Sequence, residues 1–148
     1  MPRKILILCL GNPLMGDDGV GVAVARRLSS TKLPEGVKVV EGGTGGLRLI
    51  DEISGFDKVV VVDAVKIGGP PGRIVVLNTK ELLGCSSENL GRHAHGVNLT
   101  SAIKLGYELF PDKMPAEIIL VGVEAKRIEP GLGLSEEVEK KLLYYLLM

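Results

Sequence analysis

Cysteine, histidine, net charge and long apolar runs are all scarce in this chain, and each scarcity removes a class of protein. The 148 residues contain two cysteines, Cys9 and Cys85, and two histidines, His93 and His95. Two isolated thiols fit a reducing cytoplasm better than a disulfide-stapled secreted domain. No H-E-x-x-H occurs, which excludes a self-sufficient metalloprotease of that type. Lys+Arg and Asp+Glu both number 18, so nothing indicates nucleic acid or an anionic membrane as partner. No segment approaches the ~18–20 apolar residues that a membrane span needs. The start, Met1-Pro2-Arg3-Lys4 before an apolar run, has the outline of a signal peptide. That run is only Ile5 to Leu10, lacks a small-residue cleavage site and feeds into a Gly/Pro turn. A soluble, cytoplasmic protein is expected. With no repeat, low-complexity tract or linker, residues 1–148 read as a single domain, long enough to bury roughly 68–70% of the unfolded surface.

What is present begins with Ile5-Leu6-Ile7-Leu8-Cys9-Leu10, a continuous apolar run without alternation. That is the pattern of a strand covered on both faces. The loop Gly11-Asn12-Pro13-Leu14-Met15-Gly16-Asp17-Asp18-Gly19 follows, and then a helix over 20–30. Further strands are expected at 37–41, 58–64, 73–78 and 117–123, the first over 4–10. Further helices are expected at 46–54, at 97–110, and after Ser135, which should cap a helix whose stripe is Val138, Leu142, Tyr145 and Leu146. Alternating strand and helix predicts a doubly wound α/β fold. Between 64 and 73 the connection is too short for a parallel crossover, which takes about a dozen residues. The fourth strand should therefore run antiparallel and make the sheet mixed.

Ligands of open α/β sheets bind at the carboxyl ends of the strands. Asp17 and Asp18 lie in the loop leaving the first strand; one of them could simply cap the helix, but two adjacent acids there suggest a cation site. Asp63 ends a Val-Val-Val-Val run, where an ionised carboxylate is costly without a partner. His93 and His95 sit directly before the 97–110 helix. Two Asp and one His make a three-ligand set with open positions, suited to a borderline divalent ion such as nickel or zinc. Gly42-Gly43-Thr44-Gly45-Gly46 after the second strand has more glycine than a turn requires and suggests close approach by another backbone. Cys85 has no evident base beside it and reads as structural.

The rival reading is a nucleotide- or phosphate-binding α/β domain, with Glu41 placed where a ribose hydroxyl would be read. Against it, Gly11-Asn12-Pro13 lacks the second glycine of the dinucleotide fingerprint, and Asp17 and Asp18 would repel a pyrophosphate.

Several blocks in order resemble the hydrogenase maturation endopeptidases. They are Gly11-Asn12 with Asp17-Asp18-Gly19-x-Gly21, Glu41-Gly42-Gly43-Thr44, Val62-Asp63-Ala64, His95-x-x-x-Leu99, and Leu120-Val121-Gly122-Val123 followed by Glu129-Pro130 and Gly133-Leu134-Ser135. The resemblance implies a three-layer α/β/α sandwich on a five-stranded mixed, mostly parallel sheet. It implies an aspartyl-type or metal-dependent hydrolase that removes the C-terminal extension of a nickel–iron hydrogenase large-subunit precursor once nickel is in place. Position by position, it makes Asp18, Asp63 and His95 the catalytic and metal-contacting residues, with His93 as the alternative histidine. Glu41, Gly42, Gly43, Thr44 and Gly45 become the substrate-binding box, which the family usually heads with Asp. Nickel is then expected to be supplied by the substrate, with no tightly bound metal in the free protein.

Overall fold

A computed structural model of the chain describes residues 3–43, 48–84 and 96–147. His93, His95, Thr44, Gly45 and Cys85, and the side chains of Tyr145 and Leu146, lie outside the described residues. The five strands are β1 (Ile5–Leu10), β2 (Val37–Gly43), β3 (Lys58–Val65), β4 (Ile74–Leu77) and β5 (Glu117–Glu124). The helices are α1 (Val20–Ser29), α2 (Arg48–Ile53), α3 (Thr79–Gly84), α4 (Gly96–Leu109) and α5 (Glu136–Leu147), and a 3-10 turn, Gly16–Gly19, precedes α1. The sheet order is β2-β1-β3-β5-β4, with only β4 antiparallel, against β5. The short 64–73 connection thus has the effect expected of it, because no helix fits between β3 and β4.

The apolar strands divide between two cores. Leu6, Leu8, Leu10, Val59, Val61, Ile118 and Leu120 meet α2, α3 and α4 through Leu49, Ile53, Leu82, Leu99 and Ile103. Cys9, Val62, Ala64 and Val123 meet α1 and α5 through Val20, Val24, Val138 and Leu142 on the other face. This is the α/β/α sandwich. A one-residue slip of β1 would exchange the two sets of side chains between faces, so burial on both sides fixes the register.

One element was not anticipated. α3 is six residues long and starts from a reciprocal cap: the Glu81 amide donates to Asn78 Oδ1 at 2.8 Å, and the Asn78 amide donates to Glu81 Oε1 at 3.2 Å. The signal, Asn78-Thr79-Lys80-Glu81, is a capping box. β2 also runs to Gly43, past its expected end at Glu41. Its pairing with β1 jumps from Cys9↔Glu41 to Leu10↔Gly43, leaving Gly42 as the extra residue of a bulge. A Cβ on Gly42 would stand 2.6 Å from Leu8 Cδ1 and 2.9 Å from Leu10 Cδ2, so a larger residue there would have to push those two side chains aside.

Candidate active site

The chain leaves β1 on one side to make β2 and returns on the other side to make β3. The crevice outside the carboxyl ends of β1 and β3 is therefore the topological switch point, where ligands of such sheets bind. Two of the expected site residues border it. The 3-10 turn carrying Asp18 packs against β3, and Asp63 belongs to β3 one residue beyond the Cys9↔Val62 pair. Both side chains are buried, at 3% and 1% relative exposure. The Asn12 amide donates to Asp18 Oδ2 at 3.0 Å, and the Ala64 amide donates to Asp63 Oδ1 at 2.9 Å.

Local chemistry explains the loop. Gly11 has φ +132°, and a Cβ there would fall 2.0 Å from the Asp18 carbonyl oxygen. Only glycine lets the loop fold back onto itself at that point. Asn12 Oδ1 then accepts the Leu14 amide at 2.9 Å, an Asx turn that carries the chain around Pro13.

Neither acid caps α1: its N-cap is Gly19, with no side-chain hydrogen bond. Asp17 turns the other way instead. Its carboxylate accepts the Ser135 amide (2.6 Å), the Ser135 hydroxyl (2.8 Å) and the Lys126 and Arg127 amides (2.8 and 3.1 Å). Bonds to an ionised acceptor contribute about 1.5–3 kcal/mol each, enough together to offset the several kcal/mol that burying one charge costs. Ser135 stands before α5 as expected and its carbonyl accepts the Glu139 amide at 2.9 Å, but its hydroxyl hydrogen goes to Asp17. Glu124, 1% exposed at the end of β5, accepts the Ile67 and Gly69 amides, both at 2.9 Å. The structural employment of Asp17 and Glu124 links residues more than fifty positions apart, and no local pattern announced it.

Among the described residues, no group of three or more His, Cys, Asp and Glu side chains is placed to hold a metal ion. The crevice supplies two carboxylates, and the histidines expected to complete the set lie outside the described residues. Cys9, in the core beneath α1, has its thiol pushed up to about 12 by burial and then by the charge of Glu41, so it is not a nucleophile. Glu41 itself is exposed, at the carboxyl end of β2 beside β1.

The same geometry counts against nucleotide binding. The Asn12 amide, at the position of a phosphate-binding donor, is spent on Asp18, and a buried carboxylate occupies the place a phosphate would need.

Fold and crevice define an α/β/α protein whose switch point presents acids rather than phosphate-binding amides. Comparison with known proteins agrees. The family model described as hydrogenase maturation protease matches residues 22–145. The hydrogenase 2 maturation protease of Escherichia coli K12 is 30% identical over 139 residues, covering 92% of this chain and 82% of that protein. Among solved structures, the hydrogenase maturating endopeptidase HybD of E. coli superposes with a TM-score of 0.84 at 27% identity, covering 97% of this chain and 88% of its own. The [NiFe] hydrogenase maturation protease HybD of Thermococcus kodakarensis gives 0.75 at 32%, covering 97% and 95%. The chain belongs to the hydrogenase maturation protease family and is a hydrolase of the endopeptidase class. No helix among the described residues is long and apolar enough to cross a membrane.

Proposed function

We propose that this protein cuts the C-terminal extension from the large-subunit precursor of a nickel–iron hydrogenase after nickel insertion, using Asp18, Asp63 and His95. The observation that carries the reading is the pair of buried carboxylates, Asp18 and Asp63, at the β1/β3 crevice of a maturation-protease fold. Their donor chemistry suits a borderline divalent ion: two hard oxygens, with the nitrogen of His95 as a third ligand and further positions left open. Nickel arrives as part of the substrate, held by soft ligands of the precursor. When docked it is the recognition mark and a Lewis acid for the scissile carbonyl. Asp18 and Asp63 offer it carboxylate oxygens in a shielded crevice, where electrostatic interactions are stronger than in water.

The box from Glu41 to Gly45 guides the tail. β2 is an edge strand of the sheet, and Glu41, Gly42 and Gly43 close it beside the ends of β1. An edge strand can accept an extended peptide through its backbone, and glycine permits the close approach this needs. Specificity follows, since a precursor without nickel lacks the contact that aligns its tail.

The test is incubation of the purified protein with precursor prepared with and without nickel. Cleavage of the nickel-loaded form alone is expected. Equal cleavage of the nickel-free form, or a stoichiometric metal retained by the protein alone and required for activity, would overturn the reading.

A further inference from the structure

Asp17 stands next to Asp18 yet takes no part in the chemistry proposed above. Its carboxylate is 1% exposed and holds the Lys126 and Arg127 amides at one end of the 126–135 segment and Ser135 at the other. The two loops are joined along their length as well. The Asp17 amide donates to the Arg127 carbonyl, the Gly16 amide to the Gly131 carbonyl, and the Gly131 amide to the Leu14 carbonyl, all at 2.9 Å. The 126–135 segment is in turn tied to the frame that carries Asp63. The Ala125 amide donates to the Val65 carbonyl at 2.8 Å, two residues beyond that aspartate, and Lys126 Nζ pairs with Glu137 of α5.

We propose, on the reading of Asp18 as a site carboxylate, that Asp17 is a positioning residue: it clamps the 126–135 segment to the turn that presents Asp18 and so fixes that carboxylate relative to Asp63. The two acids divide the work by direction. Consecutive residues of the turn send one carboxylate toward the segment after β5 and the other toward Asn12 above β1. Without the clamp the turn still has its own Asp18 amide to Met15 carbonyl bond at 3.2 Å. It would keep the backbone bonds to the 126–135 segment but lose the four side-chain ties to Lys126, Arg127 and Ser135 that hold the turn tightly against the β3–β5 frame. A first-sphere carboxylate that wanders by a fraction of an ångström loses more in the reaction than in binding.

The experiment compares Asp17→Asn with Asp18→Asn in the intact protein, using nickel-loaded precursor. Asp17→Asn keeps the size and one acceptor oxygen and removes the charge. Its kcat should fall about 10- to 100-fold, the usual cost of losing a support of a metal-contacting group, with KM nearly unchanged. Amide hydrogen exchange adds a readout independent of activity. The Asn12 amide, which reports on Asp18, should exchange at least about tenfold faster while amides of β3 and β5 keep their protection. Ser135→Ala, which removes only the hydroxyl donor, should shift both readouts in the same direction by less. Wild-type kcat in Asp17→Asn beside an inactive Asp18→Asn would overturn the proposal. So would a loss of activity that merely tracks the unfolded fraction, with Asn12 protection intact. If Asp17→Asn does not fold, wild-type kcat and Asn12 exchange in Ser135→Ala overturn it equally. Full activity of Asp18→Asn would bring down the reading of the site itself, whereas the Asn12 exchange still shows whether the clamp exists.

Discussion

Asp17, Asp18 and Asp63, at the carboxyl edge of the sheet, share burial and differ in employment. Asp17 is consumed by four donors from a distant segment, whereas Asp18 and Asp63 each accept a neighbouring backbone amide at the crevice. On the proposed reading, charge is what the latter two contribute to the crevice. Neutral isosteres should therefore separate chemistry from folding. Asp18→Asn and Asp63→Asn are expected to lower precursor cleavage at least about 100-fold, in the range for losing one pre-arranged electrostatic contact at a reacting centre. Far-ultraviolet circular dichroism should match the parent. Retained cleavage in both variants would show that the two carboxylates serve only to hold local backbone amides. Cys9 illustrates the opposite case, a potentially reactive group silenced by its surroundings, since burial keeps the thiol protonated.

At the scale of elements, short pieces are set by caps and bulges rather than by periodicity. α3 is below the length at which a helix holds itself, and it persists because Asn78 and Glu81 satisfy each other's backbone and Thr79 Oγ1 both donates to the Ile118 carbonyl and accepts its amide, at 3.0 and 2.8 Å. Asn78→Ala should cost about 1 kcal/mol, lowering the melting temperature by about 3 °C in a domain of this size; an unchanged thermal unfolding curve would contradict the cap. The glycines of the β2 end split in a similar way. Gly42 is a packing glycine, its absent Cβ giving room to Leu8 and Leu10. Gly43 and Gly45 belong to the docking box proposed for the tail. Gly43→Val with Gly45→Val should abolish processing while the folded content measured by circular dichroism stays that of the parent. Full activity in the double variant would reduce the box to a turn.

Across the whole molecule, both cores share one sheet: α2, α3 and α4 cover one face and α1 and α5 the other. Neither layer can leave without exposing the strands that support the other. We therefore expect residues 1–148 to unfold as a single cooperative unit. Calorimetric and van't Hoff enthalpies of thermal unfolding should coincide. Two resolved transitions, or a van't Hoff enthalpy well below the calorimetric one, would show separable units. The crevice draws on this rigidity, because the turn carrying Asp18 packs directly on β3, which carries Asp63.

The apolar runs of β1, β3 and β5 declared buried parallel strands, and the brevity of the 64–73 connection declared the antiparallel one. These are local properties: the lack of alternation follows from burial on both faces, and a crossover needs a minimum length of chain. The same locality placed Asp18 in the loop leaving β1 and Asp63 at the end of β3, and marked the glycine box from Gly42 as a place of close approach. What residue chemistry in isolation left open, and only the family resemblance named, was which of two adjacent aspartates has a structural task. Asp17 and Asp18 are the same residue type in the same turn, and propensity cannot distinguish them. The choice depends on Lys126, Arg127 and Ser135, more than a hundred residues away, whose donors reach Asp17 only after β5 has paired with β3 and α5 has packed behind it. Strand order likewise came from tertiary pairing, since β1 between β2 and β3 is what creates the crevice. Sequence determined which groups the protein owns and where most elements lie; packing between distant segments decided that Asp17 and Glu124 are employed structurally.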